Sequence, residues 1–168
     1  MLYNYKSFLW QKKDESFYRD LHLNPKLQIG PRCVANTLAT ITNKSVADFE
    51  EKINTQDPAS WSIALEKYGM KLAYCPTDVR KMKYYISELL LLDDLFTISY
   101  YSPRNPEMIF KDPSENGWIC GSHIVVLHRN KIYDSATGLI CLAENHDSMN
   151  SYIKRIFRVI PLSHSRGL

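Results

Sequence analysis

The segment QIGPRCVANTLATIT, residues 28–42, carries the strongest structural signals in the chain. Gly30 is suited to end the preceding loop, and Pro31 is suited to the first position of a helix. The next side chains recur at helical spacing; they are Val34, Thr37, Leu38 and Ile41. We therefore expect a helix from about Pro31 to Thr42, with Cys33 in its first turn.

Three further helices are expected in the first half of the chain. One begins at Ser45, with Asp48 three residues later as a capping-box variant. The next lies between Asp57 and Gly69, and the last begins at residue 77 or 78. The side chains expected to face inward are Val46, Phe49 and Ile53, then Trp61 and Leu65, then Val79, Met82, Ile86 and Leu89 or Leu90.

The second half changes to a β pattern. Residues 95–101 are rich in aromatic and β-branched side chains, and a loop follows over about residues 103–118. The later elements are strands at 123–128 and 131–134 joined by a turn at 129–130, a strand at 139–142, a short helix near 148–153 and a closing strand at 156–160. This order predicts an α+β domain, with an N-terminal helical part packed on a C-terminal antiparallel sheet.

Composition limits the class of protein. The chain has 168 residues, of which 45% are hydrophobic, so it is long enough for one core and too short for two. We expect a single domain over residues 1–168, with residues 1–27 as an irregular lead-in. The net charge of +3, carried in short basic clusters between apolar residues, does not indicate a nucleic-acid-binding protein.

Targeting and metal-binding signals are not found. Residues 1–20 lack the apolar core and cleavage site of a secretory signal, and four polar side chains interrupt residues 86–96, the most apolar stretch. The four cysteines show neither Cys-x-x-Cys spacing nor paired histidines at zinc-site intervals. We expect a cytoplasmic protein with reduced thiols, no membrane insertion, no metal and no cofactor.

Cys33 is the first candidate for chemistry. The first turn of a helix has unpaired backbone N–H groups and the positive end of the helix dipole, which favour a thiolate. A thiolate is the species that attacks a carbonyl carbon. The alternative is a buried structural cysteine, since free cysteine is among the most buried residue types. We read Cys75, Cys120 and Cys141 as structural thiols of that kind.

His123 and Asp134 are the candidate partners of Cys33. His123 opens an apolar strand, so its ring lies at a strand end, where a neutral imidazole can accept the Cys33 proton. Asp134 ends the next strand, and the hairpin returns it to the start of the first, where a carboxylate orients the imidazole. The alternatives are a strand-edge histidine, which describes His128 better, and an aspartate that begins the turn at 135–138.

Gln28 is the candidate for an oxyanion-hole donor. It lies five residues before Cys33, on a loop with Gly30 and Pro31, so that its amide and the Cys33 N–H are placed to bind a developing oxyanion. The alternative is an exposed polar loop residue. Trp118, which precedes the His123 strand, is assigned either to the cleft or to the core.

These segments also resemble a known family. QIGPRCVAN at 28–36, GSHIVV at 121–126 and YDS at 133–135 are similar to the papain-like cysteine peptidases, most of all to those that process double-glycine bacteriocin leaders. Residues 28–33 are also similar to the Josephin deubiquitinases. The resemblance implies a papain-like fold with a nucleophilic Cys33, a basic His123, an orienting Asp134 and an oxyanion donor at Gln28. The chain departs from the leader peptidases at Val34, where they usually have glycine.

Three functions are compatible with this set of residues. The first is a thiol hydrolase that cleaves a peptide or isopeptide bond in a protein or peptide substrate. The second is an acyltransferase of the transglutaminase type, because the same triad also serves amine acceptors. The third is a non-enzymatic effector that uses a papain-like scaffold to bind another protein. Oligomeric state and substrate identity are not specified by the sequence.

Overall fold

The computed structural model describes residues 10, 15–24, 32–78, 80–101 and 122–167. In these ranges the chain forms a mixed α+β structure around one antiparallel sheet, as the sequence predicts. The helices are α1 (Cys33–Thr42), α2 (Ala47–Glu50), α3 (Pro58–Leu65) and α4 (Ile86–Leu92). The strands are β1 (Met70–Cys75), β2 (Leu95–Tyr101), β3 (Ser122–His128), β4 (Lys131–Asp134), β5 (Leu139–Leu142) and β6 (Ile153–Pro161).

The ends of the first helices follow the signals in the sequence. Before α2, the Ser45 hydroxyl accepts the Ala47 N–H at 3.2 Å, and the Asp48 carboxylate accepts the Ser45 N–H at 3.2 Å, so the capping-box prediction is confirmed. Asp57 caps α3 by accepting the Ala59 N–H at 3.1 Å. A 3-10 turn then ends at Gly69, whose φ of 75° suits glycine.

The structure corrects the helix expected from residue 77 or 78, because residues 76–78 form no helix and Lys81 is extended, with a ψ of 148°. The Arg80 carbonyl accepts the Ile153 N–H at 2.8 Å, and Lys81 forms a bridge with Tyr152. This pairing with a distant segment overrides the local helix preference, so α4 begins only at Ile86, after a 3-10 turn over Met82–Tyr84. Val79 lies outside the described residues.

The sheet has one strand more than the sequence predicts. Its order is β1-β6-β2-β3-β4-β5, and every neighbouring pair is antiparallel. β1 belongs to the half expected to be helical, and its strand form depends on pairing along its whole length with β6. β6 runs longer than the predicted 156–160 and lies inside the sheet, between β1 and β2. The short helix expected near Ser148 is a 3-10 turn over Asp147–Asn150.

Both faces of the sheet carry a hydrophobic core. One face packs under α1, α2 and α3, with Leu38, Phe49 and Trp61 almost fully buried. The other face packs under α4 and the 3-10 turns, with Met82 and Leu89 fully buried. Helices therefore cover both faces of the sheet, with α4 on the face opposite α1, α2 and α3. No helix among the described residues is long and apolar enough to cross a membrane.

A buried ion pair ties the lead-in to the sheet. Asp94 and Arg158 are 0% exposed, and the Arg158 Nη2 lies 2.7 Å from the Asp94 Oδ2. Asp94 also accepts the backbone N–H groups of Phe17 and Tyr18, at 3.0 and 2.8 Å. Residues 10 and 15–24 contain neither helix nor strand, which agrees with the irregular lead-in expected for them. Residues 15–18 are nevertheless tied to the sheet, because the Glu15 carbonyl also accepts from the Arg158 Nη2 at 2.7 Å.

Candidate active site

Cys33 is the first residue of α1 and is half-buried. Arg32, at the N-cap, makes no capping hydrogen bond with its side chain; its guanidinium instead pairs with Glu50 at 2.6 Å. The first N–H groups of a helix have no partner within the helix, so the Cys33 thiol lies beside donors and the positive end of the dipole. The thiol is a free cysteine. Its position is the one expected from the sequence.

The structure brings His123 next to Cys33. Burial by itself lowers the pKa of His123, but hydrogen bonds with Asp134 and with the Cys33 thiol outweigh it and raise the pKa to about 9. The Nε2 atom lies 2.8 Å from the Asp134 Oδ1 and is thereby occupied. Nδ1 is then the ring nitrogen left for the thiol. The imidazole thus connects a thiol on one side to a carboxylate on the other.

The β3–β4 hairpin places Asp134 beside His123. Leu127 pairs with Ile132, and alternation along the two strands puts His123 and Asp134 on the same face as that pair. Burial raises the pKa of the Asp134 carboxyl, but hydrogen bonds from His123, His146 and the Ala136 N–H outweigh it and hold the pKa well below its ordinary range. Asp134 is therefore an ionised acceptor.

His146 is one of three residues at this site that the sequence did not predict, with Tyr100 and Lys154. Its Nε2 lies 2.9 Å from the Asp134 Oδ2, opposite the oxygen bound by His123. Its Nδ1 lies 2.7 Å from the Ser148 Oγ and accepts the Ser148 N–H at 3.1 Å. In the sequence, His146 precedes the predicted helix near Ser148, a capping position. Nothing local indicates that it reaches a residue twelve positions earlier.

Tyr100 packs against both histidines. It pairs with His123 across β2 and β3, and its ring meets the His123 ring edge-on at 5.8 Å and the His146 ring at 6.2 Å. Tyr100 is 8% exposed. Asp134 is itself only 7% exposed, so its hydrogen bonds to the histidines lie in a sheltered environment.

Lys154 brings a positive charge close to the thiol. It lies where the β2–β6 register shifts, so it is an extra residue of β6 with no partner on β2. Its ammonium lies 5.9 Å from the centre of the Tyr101 ring. Burial and the neighbouring Arg155 lower the pKa of Lys154, and the nearby Cys33 partly offsets them. Among the described residues, no carboxylate forms an ion pair with it.

The remaining predicted residues divide into two groups. Gln28, Trp118 and Cys120 lie outside the described residues. Cys75 is fully buried, and burial raises the pKa of its thiol to about 12; burial also raises the pKa of Cys141, on the edge strand β5. A raised pKa disfavours the thiolate, which fits structural thiols. The described ranges contain no group of three or more acidic, histidine or cysteine side chains suited to holding a metal ion.

No protein-family model matches the chain, and no curated protein is significantly similar to it.

Proposed function

We propose that this protein is a papain-like thiol hydrolase that cleaves a peptide or isopeptide bond in a protein or peptide substrate. One observation carries the proposal: the His123 ring lies between the Cys33 thiol and the Asp134 carboxylate, with Nε2 bound to the carboxylate and Nδ1 left for the thiol. A nucleophile, a base and an orienting acceptor in this order are the parts that acyl transfer through a thiol requires.

The arrangement of elements supports a papain-like fold. The cysteine heads a helix that packs against β3, and the histidine is the second residue of that strand. The aspartate ends the next strand of the same sheet. The order of cysteine, histidine and aspartate is the one that the sequence resemblance implies, and it supports the proposed fold.

The proposed reaction uses Cys33 as the nucleophile. His123 Nδ1 takes the thiol proton, and the thiolate attacks the substrate carbonyl carbon, while the N–H groups at the start of α1 stabilise the oxyanion. The imidazolium then returns the proton to the leaving amine, and the C–N bond breaks to leave a thioester on Cys33. Water, deprotonated by His123, attacks the thioester and releases the acid. Asp134 accepts the Nε2 hydrogen bond throughout and stabilises the imidazolium.

Two measurements test this proposal. Iodoacetamide alkylation at neutral pH, read by peptide mass, compares Cys33 with Cys141, a half-buried thiol in the same molecule. We expect Cys33 to react at least about tenfold faster, because the imidazolium stabilises its thiolate. A proteome-derived peptide library is then incubated with the protein and with Cys33→Ala, and new peptide termini are counted by mass spectrometry.

The library result distinguishes hydrolysis from acyl transfer, and no new product with the native protein would favour the non-enzymatic effector. New termini that appear with the native protein and not with Cys33→Ala support hydrolysis. Added methylamine distinguishes hydrolysis from transfer, because an amide product is heavier than the acid by the mass of the amine less water. Equal reactivity of Cys33 and Cys141 would reject the proposal.

A further inference from the structure

His146 is held at both nitrogens of its ring. The Ser148 backbone N–H is only a donor, and it lies 3.1 Å from Nδ1, so Nδ1 accepts and carries no proton. The Ser148 Oγ, 2.7 Å from the same nitrogen, donates to it as well. The proton of the neutral ring is therefore on Nε2, and Nε2 donates to the Asp134 Oδ2 at 2.9 Å. Ser148 is 0% exposed, so the tautomer is set by groups that water does not reach.

The hydrogen bond from His146 to Oδ2 restricts the orientation of the Asp134 carboxylate. Its Oδ1 accepts from His123 at 2.8 Å and from the Ala136 N–H at 2.9 Å. The χ2 torsion of an aspartate is broad and roughly two-fold, so bonds at one oxygen leave the carboxylate plane loosely defined. The His146 bond at Oδ2 fixes that plane from the other side. Oδ1 is thereby aimed at the His123 ring.

We propose that His146 is a positioning residue for the thiol chemistry: it acts on His123 through Asp134 and does not touch the substrate. This inference rests on the proposed function, because positioning has a consequence only if His123 serves Cys33. Because the Asp134 carboxylate is already oriented, it needs no rearrangement when the His123 imidazolium forms. The effect of His146 is therefore expected in the reaction rate of Cys33.

The test uses iodoacetamide alkylation of Cys33, in which the thiolate displaces iodide from carbon. Rates are measured from pH 5 to 9 on the full chain. His146→Gln keeps an N–H donor at the end of the side chain, whereas His146→Leu keeps similar bulk without a donor. His128→Leu is the matched control: His128 is also buried on the sheet, and its Nε2 makes one 2.8 Å bond to the Tyr18 carbonyl, away from the thiol.

We expect His146→Leu to slow Cys33 alkylation at pH 7 by about tenfold, the effect of losing one hydrogen bond to a charged group. His146→Gln recovers most of the native rate, and His128→Leu leaves it unchanged even where it lowers the melting temperature. If His146→Leu does not fold, His146→Met, with an unbranched chain, replaces it.

Each other outcome identifies which proposal fails. If native Cys33 reacts no faster than Cys141, the proposed function fails, whatever the variants do. If native Cys33 is fast and His146→Leu matches it, only the role of His146 is rejected. A faster Cys33 in His146→Leu also rejects it, since His146 would then only weaken Asp134 as an acceptor. Equal losses of alkylation rate in His146→Leu and His128→Leu would also reject the role of His146, because lost stability would then explain both.

Discussion

Replacing Asp134 with asparagine is expected to remove most of the imidazolium character of His123. The pKa of His123 rises from 6.5 to about 9 although burial opposes the rise, and Asp134 contributes both a hydrogen bond and a charge to it. The difference corresponds to about 3 kcal/mol in favour of the imidazolium. In Asp134→Asn the burial remains and only the Cys33 contribution opposes it. We therefore expect the pKa of His123 to return to about 6.5 or below.

This change is large at physiological pH. At pH 7.5 the imidazolium fraction falls from about 97% to about 9% or less, and Cys33 alkylation slows by about tenfold. Proton NMR of the His123 ring gives the midpoint, and iodoacetamide gives the alkylation rate. Asp147→Asn is the control, because Asp147 is exposed and near the site but makes no hydrogen bond to His123. A His123 titration midpoint that stays above about 8 in Asp134→Asn would show that Asp134 is not the main cause of the raised pKa.

The raised pKa of His123 also makes the stability of the folded protein depend on pH. Because folding raises the pKa of His123 above its unfolded value, its stabilisation is complete below about pH 6.5 and is lost as the pH rises through about 9. Urea denaturation of the native protein should show this decline. Asp134→Asn should be less stable than the native protein at pH 6 and should show little further loss between pH 6.5 and 9.

Three further predictions concern the rest of the molecule. Asp94→Asn leaves the buried Arg158 cation without its charge partner and should lower the free energy of unfolding by about 3–5 kcal/mol, measured by urea denaturation. The double variant Asp94→Leu/Arg158→Met should recover part of this loss. A loss below about 1 kcal/mol in Asp94→Asn would contradict the prediction. Lys154→Gln should lower the ratio of iodoacetate to iodoacetamide reactivity at Cys33 by about fivefold. The reason is that the Lys154 ammonium attracts the negatively charged iodoacetate, and roughly 1 kcal/mol is expected for two charges near one another in water. An unchanged ratio would show that the ammonium does not act on the thiol. Gly69→Ala should cost about 1 kcal/mol, measured by thermal unfolding, because φ is 75° there while a Cβ meets nothing within 4 Å; a neutral substitution would mean that the backbone adapts.

The features that depend on nearby residues could be predicted from the amino-acid sequence. The starts of α2 and α3 follow from side chains that bond to backbone groups two or three positions away, as Ser45, Asp48 and Asp57 do. The β3–β4 hairpin follows from alternation and a two-residue turn, and it places His123 beside Asp134. Cys33 at the head of α1 follows from the Gly-Pro signal and the helical spacing after it.

The features that depend on distant partners could not be predicted, because they form only when the chain folds. β1 is a strand because β6 pairs with it, and the chain stays extended at residues 80–81 because residues 152–153 bond to it. His146 reaches Asp134 because the 3-10 turn after β5 directs its ring back toward the sheet. These contacts join segments that are distant in the sequence, and the local sequence of one segment does not indicate the other as its partner. Local patterns therefore predicted that Cys33, His123 and Asp134 lie together, while the contact of His146 with Asp134 is visible only in the folded chain.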